Sequence, residues 1–269
     1  MSEAPRTEAR NPRAARLGTA GTREILELMN DEDATVAAAV RQALPDIERA
    51  VDAVVAAFAK GGHVRYVGAG TSGRLGVLDA SEAPPTFGVA ADAFHGIIAG
   101  GDGALRSAIE GAEDSADGGR ADLRAVLTPY DVVVGISASG RAPYVLGALA
   151  AARADGFTTV GLTCATGSPL ARAADVPIVV DVGPEVVAGS SRLKAGTATK
   201  LVLNMLSTAA MIRSGHTKGD LMIDVRATND KLRARAIAIV RDELGLDEVA
   251  ARARLAACGW SVRRAIEPS

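Results

Sequence analysis

Gly68-Ala-Gly-Thr-Ser-Gly-Arg-Leu-Gly76 lies between an apolar run, His63–Val67, and a helix-like segment, Ser72–Ala80. Downstream, Gly135-Ile-Ser-Ala-Ser-Gly140 closes the apolar run Asp131–Ile136 and precedes the helix-like Ala142–Ala154. Each stretch is a strand-to-helix turn rich in small residues and hydroxyls. Backbone N–H groups at a helix start attract an anion, and nearby Ser and Thr side chains add donors. Two such turns predict a small phosphorylated ligand held between them.

Working outward, Thr22–Lys60 reads as helix, with Thr22 placed to cap it and Gly61-Gly62 to stop it. Pro84-Pro85 argues that the helix after the first turn has ended, because residues before proline avoid helical backbone. Phe94–Ala99 reads as a strand, Asp102–Ile109 as a helix capped by Asp102, and Asp114–Val126 as another helix. Asp131–Ile136 is almost continuously apolar, as expected of a strand buried on both faces. Thr158–Thr163 and Val176–Val182 read as strands around a short helix, Pro169–Ala174. The alternation predicts an α/β fold, a five-stranded, mostly parallel sheet with helices on both faces. Ligands of such sheets bind beyond the carboxyl ends of the strands, where both hydroxyl-rich turns fall. A long apolar helix, Thr197–Ser214, follows, and Asp230–Leu244, Asp247–Ala257 and Trp260–Ile266 predict a small C-terminal three-helix appendage. The expected division is a flexible tail over 1–16, a main α/β domain over 17–227 and the appendage over 228–269.

Composition narrows the function classes. The 269 residues are 48% hydrophobic and 23% charged, which suits a globular protein. Aromatic residues make up 3% and the net charge is −2, so neither base stacking nor a polyanion partner is expected. No apolar run is long enough to span a membrane, and the polar, basic start is unlike a signal peptide. Cys164 and Cys258 are far apart and read as reduced thiols, which fits the cytoplasm. His63, His95 and His216 form no ligand pattern, so no metal site and no cofactor are expected.

Gly68, Gly70 and Gly73 match a dinucleotide fingerprint, G-x-G-x-x-G. The second strand, however, ends in Ala99-Gly100-Gly101 without the acidic residue that holds a ribose. Thr71 and Ser72 also place hydroxyls where such sites use small apolar residues. A dinucleotide is therefore not expected. Two carboxylates suggest chemistry instead. Glu82, near the carboxyl end of the first-turn helix, is placed where the helix dipole and partial burial would keep a carboxyl protonated for general-acid work. Glu113 shares an acidic cluster with Glu110 and Asp114, and the residues alone do not choose among the three.

Longer stretches resemble a known family. They are Tyr66–Gly88, Glu110–Ser115, Val134–Val145, Gly183–Gly196 and Lys200–Thr208, in one order along the chain. Together they resemble the N-acetylmuramic acid 6-phosphate etherases of the sugar-isomerase (SIS) superfamily. The resemblance implies cleavage of the D-lactyl ether at C3 of the sugar. It implies Glu82 as catalytic acid and Glu113 as the second catalytic carboxylate. It further implies that Gly70, Thr71, Ser72, Ser137 and Ser139 hold the 6-phosphate, with Ser190, Ser191 and Lys194 completing the pocket. Lys194 could equally be a solvated lysine at a helix start. A homodimer is implied too, with the apolar helices over 34–59 and 197–214 able to supply its interface or to be internal core. The competing functions on this fold are an aldose–ketose isomerase, which needs no acid for a C3 leaving group, and a non-catalytic sugar-phosphate sensor.

Overall fold

The computed structural model describes residues 6–225, 227 and 229–267. Five parallel strands form one sheet: β1 (Val64–Gly68), β2 (Phe94–Ile98), β3 (Val132–Ile136), β4 (Thr158–Thr163) and β5 (Val176–Val179). Their order is β2-β1-β3-β4-β5. The chain steps from β1 to one side and then back to the other, so the order reverses between β1 and β3. Register places Gly68 at the end of β1 beside Ile136 at the end of β3. Both glycine-rich turns therefore leave the sheet side by side, at the position where open α/β sheets bind ligands.

Helices cover both faces. Ahead of the sheet come α1 (Thr22–Asp33), α2 (Val36–Gln42) and α3 (Leu44–Phe58). Then follow α4 (Gly70–Phe87), α5 (Ala116–Arg124), α6 (Pro143–Ala154), α7 (Pro169–Ala173) and α8 (Lys194–Arg213). One apolar core joins α3, α4 and α8 to the sheet through Val54, Tyr66, Ala83, Phe87, Val134 and Leu206. The opposite face packs Leu123, Tyr144, Val145 and Leu149 of α5 and α6 against Val67 and Val133. Among the described residues no helix is long and apolar enough to cross a membrane.

The structure departs from the sequence reading in several places. α4 continues through Pro84 and Pro85 to Phe87. Proline's fixed φ is compatible with helix, and burial of Ala83 and Phe87 outweighs the local penalty. Glu82 therefore stands inside the helix and is exposed, not partly buried in a loop beyond it. Gly21, not Thr22, is the N-cap of α1, and the segment to Phe58 is three helices. Asp102–Leu105 is only a 3-10 turn and Asp102 caps nothing there. Finally, residues 6–16 of the expected tail carry two 3-10 turns, with Thr7 and Asn11 buried.

The C-terminal α9 (Asp230–Leu244), α10 (Glu248–Ala257) and α11 (Val262–Ile266) share an apolar cluster with Ile223 and Val225. Side-chain caps start each of them: Asn229, Asp247 and Ser261 accept from Leu232, Ala250 and Arg264 N–H groups. Asp224 anchors the segment, accepting from Arg263 Nε and Nη2 (2.7 Å each) and lying 2.9 Å from His216 Nδ1.

Candidate active site

The first turn is built by close backbone approach. A Cβ on Gly68 would lie 2.6 Å from Gly73 N, and one on Gly73 would meet Ile98 Cγ1 at 2.6 Å and Gly68 O at 2.8 Å. Glycine at both positions lets α4 start directly against the end of β1. Thr71 and Ser72 then stand in the first turn of α4, where N–H groups are unpaired within the helix. In the second turn, Gly140 N–H donates to Ser137 O and Oγ (2.9 and 3.1 Å), and Arg141 N–H donates to Ser139 Oγ at 3.3 Å. A third segment, residues 183–193, is pinned by Glu185. That fully buried carboxylate accepts from Lys194 and Ala195 N–H groups at 3.0 Å and so caps α8.

These three segments enclose a cavity of about 420 Å³, lined by Gly70, Thr71, Ser72, Ser137, Ser139, Ser191 and Glu113. The size suits one small molecule. A larger space of about 610 Å³, beside Lys60, Tyr130 and Asp131, opens at the amino ends of the strands. It lacks the helix N-termini and is not where ligands of such sheets bind. The candidate site is the smaller cavity.

Glu113 reaches this cavity from a 3-10 turn, Ala112–Asp114, that follows Gly111 in left-handed backbone. Asp114 lines it as well, but Glu110 does not. Three expected site residues are elsewhere. Ser190 is adjacent in sequence but outside the lining. Lys194 is neither solvated nor in the lining: its ammonium lies 2.5 Å from Glu32 Oε2, in a buried pair. Glu82 borders a different cleft, of about 220 Å³, with Leu75, Leu78, Asp79, Lys200, Leu203 and Asn204. It follows Gly70 by twelve residues on one helix, which is about 18 Å along the axis.

The face around Glu82 is rigidly held. Asp79, one turn earlier, accepts from Tyr66 Oη (2.9 Å), Asn204 Nδ2 (2.7 Å) and Ser207 Oγ (3.1 Å), tying α4 to β1 and α8. Burial raises the Asp79 carboxyl above its ordinary range, although these hydrogen bonds oppose the shift. Beside it runs an apolar groove between α3 and α8, lined by Leu44, Ile47, Val51, Leu201, Met205 and Ile212.

The sequence reading passed over Thr7, Glu8, Arg141 and Gly189, all of which line the cavity. Asn11-Pro12 was a usable signal for order near the N-terminus, since Asn11 Oδ1 accepts from Arg13 N–H at 2.9 Å and starts a 3-10 turn.

Comparison with known proteins agrees with this fold. Residues 46–153 match the family model of the glucokinase regulatory protein N-terminal SIS domain, and residues 113–209 match that of the SIS domain. An N-acetylmuramic acid 6-phosphate etherase of Aeromonas hydrophila is 56% identical over 93% of this chain and 84% of its own. N-acetylmuramic acid 6-phosphate etherase 1 of Bacillus licheniformis is 55% identical over 92% of this chain and 82% of its own. Among solved structures, a phosphoheptose isomerase from Francisella tularensis superposes with a TM-score of 0.54 at 19% identity. That match covers 71% of this chain and 98% of the isomerase, and it speaks to the fold alone.

Proposed function

The chain belongs to the N-acetylmuramic acid 6-phosphate etherase family, and from that premise we propose how its residues cleave the D-lactyl ether to give N-acetylglucosamine 6-phosphate and D-lactate. The 6-phosphate binds at the start of α4, between Thr71 and Ser72 on one side and Ser137 and Ser139 on the other. Helix-start N–H groups and hydroxyls satisfy its oxygens. Ring opening exposes an aldehyde at C1, which acidifies the proton on C2. Glu113 takes that proton. Lactate leaves from C3 with a proton from Glu82, giving an α,β-unsaturated aldehyde. The Glu82 carboxylate then activates water for addition at C3, and C2 regains its proton from Glu113. Water is consumed and one ether C–O bond is exchanged for a hydroxyl. Binding the phosphate far from the ether serves to orient the reacting carbons.

The separation of Glu82 from the cavity supports a homodimer. A hexose anchored at the start of α4 does not reach a residue about 18 Å further along the same helix. Glu82 from a second copy completes the site instead. The surface beside Glu82 suits such a partner: Leu78, Met205 and Ile212 are exposed on α4 and α8, next to the apolar α3–α8 groove. On this reading residues 17–227 form the catalytic domain, with Thr7 and Glu8 of the preceding segment joining its cavity wall, and 228–269 form the appendage. A cytoplasmic location fits the two unbridged cysteines.

The observation that carries the proposal is the cavity at the β1/β3 reversal, where Thr71, Ser72, Ser137, Ser139 and Glu113 meet. Incubation of the purified protein with N-acetylmuramic acid 6-phosphate should release D-lactate and N-acetylglucosamine 6-phosphate in equal amounts. Isomerisation of a sugar phosphate with no lactate release would refute it.

A further inference from the structure

Two residues of the cavity wall come from the start of the chain, Thr7 and Glu8. They stand on the 3-10 turn Arg6–Glu8, far in sequence from the other lining residues. Several contacts fix them there. Gly189 N–H donates to Thr7 O at 3.3 Å, Arg6 pairs with Asp181, Asn11 Nδ2 donates to Pro184 O at 3.4 Å, and Arg13 pairs with Glu32 at 2.9 Å. The turn is thereby strapped onto the 183–193 segment. Gly189, at φ +77°, leaves room for Glu8: a Cβ there would lie 2.9 Å from Glu8 Oε2.

Thr7 is 1% exposed. Among the described residues, its Oγ1 is the buried side-chain polar atom without a hydrogen-bond partner. Burying a hydroxyl unsatisfied costs stability, so such an atom in a cavity wall calls for a partner, a bound ligand or an ordered water. Glu8 adds a second clue. A carboxylate in a wall of hydroxyls and helix-start N–H groups repels a phosphate, but it accepts strongly from hydroxyl donors. A sugar phosphate carries both kinds of group, and its hydroxyls have no other carboxylate of the wall to meet besides Glu113 and Asp114.

We propose that the N-terminal turn is part of the substrate site, with the Thr7 hydroxyl and the Glu8 carboxylate hydrogen-bonding the sugar rather than its phosphate. The inference rests on the reading of this cavity as the sugar-phosphate site. It makes the first residues of the chain determinants of which phosphate esters bind.

The test is calorimetric titration of the full chain with N-acetylglucosamine 6-phosphate and, separately, with inorganic phosphate. Thr7→Val keeps the side-chain volume and removes only the unpartnered oxygen. It should leave the melting temperature of the free protein equal or higher, and weaken the sugar phosphate about five-fold, the worth of one neutral hydrogen bond. Inorganic phosphate should bind as before. Glu8→Gln should weaken the sugar phosphate about ten-fold or more, as for a hydrogen bond to a charged group, and leave inorganic phosphate equal or tighter. Thr7→Ser should restore binding. Unchanged sugar-phosphate affinity in Thr7→Val and Glu8→Gln would overturn the proposal. So would equal weakening of both ligands together with a lower melting temperature, which marks a structural role. Ser137→Ala separates the two levels: if it leaves both ligands unaffected, the sugar-phosphate reading falls as well.

Discussion

Lys194 Nζ lies 2.5 Å from Glu32 Oε2, and the two side chains are 4% and 10% exposed. This pair joins the end of α1 to the start of α8. Arg13, on the N-terminal segment, pairs with the other Glu32 oxygen. Lys194 is therefore a positioning residue for the 183–193 segment and the N-terminal turn. Removing one member of a buried pair strands the other, at a cost of about 3–5 kcal/mol. Lys194→Met is expected to lower the melting temperature by on the order of 10 °C. Because its ammonium is not in the cavity wall, the variant should still be stabilised by saturating inorganic phosphate as the parent is. Loss of that ligand-induced shift would mean that Lys194 contacts the phosphate.

The same pair predicts a pH dependence. Burial alone would raise the Glu32 carboxyl, but hydrogen bonds from Lys194 and Arg13 outweigh it and hold the group below its ordinary value of 4.5. A depressed folded-state value contributes stability that is present above 4.5 and lost as pH falls through the folded value. Glu32→Gln should melt lower than the parent at neutral pH, and the gap should close as the pH is taken down from 4.5 through the depressed folded-state value. Melting curves across that range check it, and a gap that persists unchanged in acid would contradict it.

Gly73→Ala tests the first turn. The added Cβ would press within 2.8 Å of Gly68 O and 2.6 Å of Ile98 Cγ1. Backbone cannot yield as a side chain does, so the start of α4 must move away from β1. A loss of about 1–3 kcal/mol is expected from overpacking, with a raised KM from the displaced phosphate-binding N–H groups. Unchanged denaturation midpoint and KM would show that the close approach is dispensable.

The two carboxylates should separate kinetically. Glu82→Gln removes the acid for the leaving group while leaving the base for C2. It should lose lactate release yet keep exchange of the C2 hydrogen when N-acetylglucosamine 6-phosphate is incubated in deuterated water. Glu113→Gln should lose both, each by about 10²-fold or more. Wild-type lactate release in Glu82→Gln would remove Glu82 from the mechanism.

Much of the fold was legible because local signals and burial agree. The strand Thr158–Thr163 is bounded as its apolar pattern predicts, and the two glycine-rich turns meet because parallel register aligns Gly68 with Ile136. Pro84 and Pro85 misled because a local preference lost to the tertiary burial of Ala83 and Phe87. Lys194 and Glu32 are 162 positions apart, and no local pattern announces such a pair. Thr7 and Glu8 lie in a polar, basic stretch with the composition of a tail, and only tertiary contacts bring them to the cavity. In the acidic cluster the residues alone left Glu110, Glu113 and Asp114 open, and the cavity wall takes in the last two.

The most direct measurement is subunit complementation. Glu82→Gln and Glu113→Gln proteins are each purified, mixed in equal amounts under conditions that exchange subunits, and assayed for D-lactate. With a two-fold symmetric pair and sites shared across it, half of the dimers are mixed and each mixed dimer regains one intact site, so activity should return to about a quarter of the parent level. Mixed dimers that form but show no more activity than either variant alone would contradict a site shared between two copies.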